Sequence, residues 1–286
     1  MKKGILYIVA TPIGNRDDFS PRAVETLRQV TMIAAEDTRH SRPLLQHYGI
    51  STPLTAFHEH NERQVMSRIL GRLDEGESVA VISDAGTPLI SDPGFPLVRE
   101  CHMKGIRVSP VPGPSAAVCA LSAAGLPTDR FIFEGFPART SQARQKQFQA
   151  LLKESRTLVF YESSHRIRHC LEDMLLVFGG DRQAVIAREL TKLHETIISA
   201  PLDDLLEKVK QDANQQKGEF VVLVSGAEKR SGDTLDSETE RVLRILMEEM
   251  PLKQAAAVAA KISGGKKNRL YKAALSWVEK ESGQSG

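Results

Sequence analysis

Residues 79–94 read VAVISDAGTPLISDPG. The apolar run that ends at Ile82 is too short for a helix and lacks polar alternation. It reads as a strand from Ser78 to Ile82 buried on both faces, the pattern of a parallel sheet covered by helices. At Ser83-Asp84 the chain turns polar and enters a loop holding Gly86, Thr87 and Pro88. In open α/β sheets, ligands sit beyond the carboxyl ends of strands. Gly86 allows close backbone approach and Thr87 offers a hydroxyl. The same residues also suit a tight structural turn in which Asp84 caps backbone amides. Spacing alone leaves both readings open.

Outward from this segment the chain alternates strands and helices. On the amino-terminal side, Gly4 to Ala10 and Met32 to Ala35 read as strands. Ser20-Pro21 starts a helix that runs to Val30, and Asn61 opens another stopped by Gly76. On the other side, Gly94 to Lys104 reads as a helix, Ile106 to Ser109 as a strand, and Ser115 to Ala124 as a small-residue helix after a Pro-rich loop. This alternation implies a mostly parallel sheet covered by helices. Gly125-Leu126-Pro127 is a hinge, after which the pattern restarts: strands at 131–134, 157–161, 184–188, 195–199 and 219–224, and helices over 141–152, 164–178 and from Pro201. Residues 227–234 are polar and read as a linker. Ser237 to Glu240 forms a capping box before an amphipathic helix, and two more helices follow around Gly264-Gly265. The expected organisation is therefore α/β domains over 1–125 and 126–226, and a helix-turn-helix-like module over 235–286.

The chain has 286 residues, 41% of them hydrophobic, a formal net charge of +2 and three cysteines. That excludes a disordered or collagen-like chain. No apolar run approaches the length of a membrane span, and the run Ile5 to Ala10 is too short for a signal-peptide core, so a cytoplasmic protein is expected. Cys101, Cys119 and Cys170 are far apart and odd in number, which fits buried thiols better than a disulfide framework. No two glycines stand at i and i+2. The G-x-G-x-x-G dinucleotide fingerprint is therefore excluded, and G-x-x-x-x-G-K-[ST] is absent as well. A nucleotide-like ligand needs another cradle. Two further loops offer one: Thr11-Pro12-Ile13-Gly14-Asn15 after the first strand, and Pro112-Gly113-Pro114-Ser115-Ala116 at a helix start. With the Asp84 loop, three such loops meet at one edge of a parallel sheet.

The segments TPIGN, SDAGTPLISDPG, PGPSA, YESSHR and GEFVVLVSG, in this order and spacing, resemble the tetrapyrrole-methylase-like class of S-adenosylmethionine-dependent methyltransferases. The likeness covers about residues 4–226. It implies a cofactor, S-adenosylmethionine, held in a cleft between two α/β domains. Carried over, Pro12 lines the cleft; Asp84, Gly86, Thr87, Ser115 and Ala116 contact the methionine portion; Tyr161, Leu190 and Phe220 enclose the adenosine. Within the class the chain is similar to members that methylate the ribose 2′-hydroxyl of a decoding-centre cytidine in 16S rRNA. That implies 16S rRNA within the 30S subunit as partner, a homodimer, and no DNA or membrane partner. Corrin-ring members carry G-D-P at the central loop, whereas this chain has Ser83-Asp84-Ala85-Gly86, which argues against a tetrapyrrole substrate. The competing functions are a tetrapyrrole C-methyltransferase and a non-catalytic RNA-binding or ribosome-assembly factor.

Methylating a hydroxyl requires a group that accepts its proton. The candidates are Glu36 and Asp37 after the second strand, His165, and His194; Arg39 and Glu36 are expected to shape the mouth that faces RNA. Glu36-Asp37-Thr38-Arg39 also reads as a local ion-paired turn, and His165 as a surface residue. No metal is expected. His165 and His169 lie at i and i+4 without a specified carboxylate ligand, and His58-Glu59-His60 reads as a solvated loop. Seven Lys or Arg against two Glu between Ala138 and His169, and six basic residues without an acid between Lys253 and Lys272, form two stretches suited to a phosphate-rich partner.

Overall fold

The computed structural model describes residues 2–227, 235 and 237–282. They divide into two compact units, Met1–Ala227 and Glu228–Gly286. The linker expected over 227–234 lies, apart from Ala227, outside the described residues, as does the Ser237 side chain of the expected capping box.

The first unit begins with β1 (Ile5–Val9), α1 (Pro21–Gln29), β2 (Met32–Ala35), α2 (Thr38–His47), β3 (Leu54–Ala56), α3 (Glu62–Asp74), β4 (Val79–Ile82), α4 (Phe95–Met103), β5 (Arg107–Val111) and α5 (Ala116–Ala123). The strands form one sheet in the order β3-β2-β4-β1-β5, parallel at every pairing. Successive residues of a strand face opposite sides, and the cores divide accordingly. Ile33 and Ala35 of β2 pack with Ala23, Val24 and Leu27 of α1 and Leu45 of α2. Met32 and Ala34 pack on the other side with Ile69, Leu70 and Leu73 of α3 and with Leu97 and Cys101 of α4. Helices thus cover both faces, which is why β4 is continuously apolar. Pro110 lies in the edge strand β5, in register with Ile8, and its carbonyl accepts a bond from Arg22 at 3.0 Å.

Two elements depart from the sequence reading. Residues 38–47, of which only the start was read, as a turn, form α2 with Pro43 inside it. The three-residue strand β3 is half-buried and carries no apolar run.

After α5 come β6 (Phe131–Gly135), α6 (Ser141–Leu151), β7 (Thr157–Ser163), α7 (Ile167–Phe178), β8 (Gln183–Arg188), β9 (Thr196–Pro201), α8 (Leu202–Gln211) and β10 (Glu219–Val224). Their sheet has the order β6-β7-β10-β8-β9. Only β6 and β7 run parallel; the other pairings are antiparallel. One face is covered by α6, α7 and α8, through Phe148, Leu171, Met174, Leu205 and Val209. Between α6 and α7, Arg144 and Asp173 form a buried pair, with Nε 2.7 Å from Oδ2; Ser141 and Gln145 also donate to Asp173. Burial pushes the Asp173 carboxyl up, but these bonds outweigh it and hold it below its usual range.

The opposite face of this sheet packs on α5. Ala117, Ala120, Leu121 and Ala124 meet Val159, Val185, Ala187, Val221 and Leu223 in one apolar seam, which joins the two sheets.

The second unit contains α9 (Ser237–Glu249), α10 (Leu252–Ser263) and α11 (Lys267–Ser282). Leu243, Ala255, Ala256, Ala259, Leu270 and Ala274 form its own core. Gly264 ends α10 in the left-handed conformation, at φ +72°. The Arg244 guanidinium lies 4.2 Å from the centre of the Trp277 ring.

The seam leaves no room for added volume at Ala120, which is fully buried. Ala120→Leu is expected to destabilise the protein by about 1–3 kcal/mol, read as a lower urea midpoint with an unchanged slope.

Candidate functional site

The carboxyl ends of β1, β4 and β5 carry the three loops singled out in the sequence, and hydrogen bonds lock them together. Thr11 and Gly86 exchange backbone bonds of 2.9 and 3.1 Å as an isolated antiparallel bridge. Thr87 Oγ1 donates to the Pro114 carbonyl at 3.0 Å, and Thr11 Oγ1 donates to the Ser83 carbonyl at 3.2 Å. Gly86 has φ +83°, where an L side chain is strained, and a Cβ there would meet Ile13 Cγ2 at 3.3 Å. Gly14 serves the junction with the second sheet. A Cβ at Gly14 would lie 2.8 Å from Thr191 Oγ1, and the neighbouring Asn15 N–H donates to that oxygen at 3.0 Å.

A cleft of about 520 Å³ opens between these loops and the second sheet. From the first sheet it is lined by Glu36, Asp84, Gly86, Thr87, Asp92, Ser115 and Ala116. From the second it is lined by Tyr161, Ser163, Ala187, Leu190, Phe220 and Val221. Polar groups thus line it from both sides, with Glu162, Ser164 and Glu219 joining Ser163 on the second, while Ala187, Leu190 and Val221 give that side an apolar stretch. Tyr161 crosses between them: its Oη accepts the Ala117 N–H at 3.3 Å and also bonds the Ser115 side chain. Burial raises its phenol above the usual range, opposed by these two bonds. Phe136, half exposed at the rim, and Phe133 both stand edge-on to the Tyr161 ring.

Eight of the nine residues expected around a cofactor line this one cleft: Asp84, Gly86, Thr87, Ser115, Ala116, Tyr161, Leu190 and Phe220. The ninth, Pro12, is not among the lining residues; its neighbour Ile13 takes that place because the Thr11–Gly86 bridge turns the chain there.

The proton-acceptor candidates separate more sharply. Glu36 lines the cleft. Burial raises its carboxyl above the usual range, assisted by Asp84, Glu59 and Asp37 and opposed by His58. Asp37 does not line it. The Asp37 carboxylate binds the Arg39 side chain at 2.7 Å and the Arg39 N–H at 2.8 Å, which holds it far below the usual range. Its own N–H donates to Asp84 Oδ1 at 3.0 Å, tying the end of β2 to the loop after β4. Arg39 is exposed and occupied by that pair. His165 and His194 are exposed outside the cleft. Asp92 is the carboxylate the sequence reading passed over. It follows an apolar loop and precedes Pro93-Gly94, so locally it reads as a turn residue; only the folded chain sets it beside Glu36.

Of the two basic stretches, the first is largely paired with carboxylates. Arg144, Arg156, Arg166 and Arg168 are bound to Asp173, Glu154, Glu162 and Glu172. Arg139, Lys146 and Lys153 are exposed. In the second stretch all six, Lys253, Lys261, Lys266, Lys267, Arg269 and Lys272, are exposed.

Comparison with known proteins agrees with this architecture. The family model for tetrapyrrole (corrin/porphyrin) methylases matches residues 5–206. A second model, described as the RsmI C-terminal HTH domain, matches residues 233–277. Ribosomal RNA small subunit methyltransferase I of Pseudomonas aeruginosa is 58% identical over 276 residues, which cover 96% of this chain and 98% of that protein. The protein of the same name from Escherichia coli O157:H7 is 54% identical, over 96% of this chain and 95% of that one. Among solved structures, the cobalt precorrin-4 methyltransferase CbiF has a TM-score of 0.58 at 18% identity, covering 77% of this chain and 94% of that one. A diphthine synthase also has a TM-score of 0.58, at 15% identity, covering 78% and 90%. These structures share the fold of two sheets around a cleft, and the close relatives share nearly the whole chain: the protein belongs to the tetrapyrrole methylase family and, within it, to the ribosomal RNA small subunit methyltransferase I group.

Proposed function

We propose that this methyltransferase uses S-adenosylmethionine to methylate the ribose 2′-hydroxyl of a decoding-centre cytidine in 16S rRNA, within the 30S subunit. The observation that carries the reading is the 58% identity, across nearly the full length of both chains, to a ribosomal RNA small subunit methyltransferase I. The cleft supports it. The backbone at Gly86 forms a cradle that a Cβ would fill, and Thr87 and Ser115 bring hydroxyls to the same wall. On our reading Asp84, Gly86, Thr87, Ser115 and Ala116 hold the methionine portion of the cofactor. Tyr161, Leu190 and the backbone around Phe220, whose ring packs under α6–α8, enclose the adenosine beside Ala187 and Val221. When bound, the cofactor supplies an electrophilic methyl group. The protein's part is to fix the acceptor hydroxyl in line with that methyl, to exclude water and to take up a proton.

The rRNA substrate is met by exposed cations: Arg139, Lys146 and Lys153 on the first unit, and the six basic residues between Lys253 and Lys272 on the second. Such a surface binds phosphates without reading bases. No helix among the described residues is long and apolar enough to cross a membrane. On this reading the protein works in the cytoplasm, where it meets its ribosomal substrate, and acts as a homodimer.

Three measurements test the reading. Radiolabelled methyl transfer, offered 30S subunits, naked 16S rRNA and a corrinoid precursor, is expected to label 30S subunits at a cytidine 2′-oxygen. Label on the corrinoid alone selects a tetrapyrrole methyltransferase, and label on none selects a binding factor. Gly86→Ala is expected to weaken S-adenosylmethionine binding in calorimetry by about tenfold or more, roughly 1.4 kcal/mol. Filter binding to 30S subunits is expected to weaken steeply with added salt, as counterion release requires; salt-independent affinity refutes the electrostatic part.

A further inference from the structure

The reading above places the cofactor and leaves open what holds the nucleotide that receives the methyl group. We propose that the Phe136 ring, at the rim of the cleft, is the platform on which the base of that nucleotide stacks. This inference rests on the acceptor being a ribose of rRNA.

The need for a platform comes from the chemistry. In-line transfer tolerates little misplacement of the acceptor oxygen, and a ribose hydroxyl offers few features to grip. The base beside it is larger and flat. Proteins that act on or recognise single nucleotides take the base out of its stack and lay it against an aromatic ring.

Phe136 is such a ring. It lines the cleft and is 57% exposed. A lone exposed apolar side chain is ordinary, but this one is aimed and braced by the chain around it. Residues three apart in a regular strand face opposite sides of a sheet. Phe133 and Phe136 nevertheless both stand edge-on to Tyr161, with ring centres 4.8 and 5.6 Å away. A bulge supplies the extra step. The register between β6 and β7 slips by one residue between Phe133 and Gly135, a device that is rare between parallel strands and that re-aims side chains next to sites. Gly135 completes the turn at φ +66°, where a Cβ would lie 3.3 Å from Ser91 Oγ.

The chain is tied down on both sides of the ring. Gln147 Nε2 donates to Glu134 Oε2 at 3.3 Å, and Gln147 Oε1 accepts the Ala138 N–H at 3.2 Å. Arg166, paired with the buried Glu162, donates to the Pro137 carbonyl at 3.0 Å. Tyr161, against which the ring rests, is itself held by the Ala117 N–H. The Phe136 ring is thus supported without being covered.

Its surroundings suit a base. The cleft carries the carboxyl groups of Glu36, Asp84, Glu162 and Glu219, which repel phosphates. The part of a nucleotide that enters is therefore the uncharged sugar and base, and the phosphates stay outside, where Arg139, three residues beyond Phe136, is exposed. Ile90, 44% exposed, lines the same cleft from the loop after β4, and the approach of Gly135 to Ser91 brings the two rims together. Stacking accepts every base, because each has a π-face; Phe136 grips the acceptor nucleotide and leaves the choice of cytosine to other contacts.

The experiment measures kcat/KM for methyl transfer to 30S subunits in wild type, Phe136→Leu and Phe136→Tyr, with S-adenosylmethionine affinity by calorimetry in the absence of RNA. Phe136→Leu, apolar but not flat, is expected to lose about fivefold or more in kcat/KM, the lower end for one stacked base. Phe136→Tyr keeps the aromatic face and is expected to stay within about threefold of wild type, as is the cofactor affinity of Phe136→Leu. Wild-type kcat/KM in Phe136→Leu overturns the proposal. So does a Phe136→Tyr as impaired as Phe136→Leu, which makes the ring a structural filler. A loss of cofactor affinity as large as the loss in kcat/KM also overturns it, by assigning the ring to the cofactor. Should Phe136→Leu fail to fold, Phe136→Met takes its place. A wild type that labels no RNA hydroxyl refutes the parent reading and this proposal with it; RNA labelled equally by wild type and Phe136→Leu refutes this proposal alone.

Discussion

The packing of α5, the helix that follows β5, onto the second sheet is the constraint on which the rest depends. Ala117, Ala120 and Ala124 are small enough for the helix to lie close against Val159, Val185 and Val221 of the second sheet. A larger side chain would push α5, and the loop that leads into it from β5, away from the second sheet, and the cleft lies beside the start of that helix. The helix that joins the sheets also begins at the cleft, with Ser115 and Ala116 in its wall and the Ala117 N–H on Tyr161 Oη. Cohesion and site geometry are therefore set by the same eight-residue helix. Because both sheets build the cleft, a shift of one against the other changes its width directly.

Most of the first sheet was legible because burial on both faces leaves an unmistakable apolar run, as in β4. The loops that follow β1, β4 and β5 were legible for a related reason. Gly, Pro, Thr and Asp after a buried strand mark a place where the backbone must turn sharply. Illegible elements were those whose local signal points elsewhere. The helix α2 contains Pro43 and a mostly polar series, so the residues after Asp37 do not look helical. The strand β3 is short and half-buried. Apolar runs also do not record strand direction, so the antiparallel β8, β9 and β10 read the same as parallel ones would.

Electrostatic roles were the least legible, and for one reason: they depend on partners distant in sequence. Charge counting between Ala138 and His169 suggests a basic face, yet four of those cations are bound to carboxylates and one of them, Arg144, is buried. Asp37 and Glu36 are adjacent and chemically alike, but one is committed to Arg39 and the other faces the cleft. Burial and Glu36 push the Asp92 carboxyl up, and the residues around it reveal neither.

Pro110 in the edge strand β5 has a consequence beyond the site. A strand at the margin of a sheet exposes unpaired donors and acceptors on which another chain can align. Pro110 offers no N–H, and Arg22 already occupies its carbonyl. A foreign strand approaching this margin therefore meets a gap in the hydrogen-bond ladder at the position paired, on the inner side, with Ile8. The parallel sheet is thereby a poorer template for strand addition along its β5 margin.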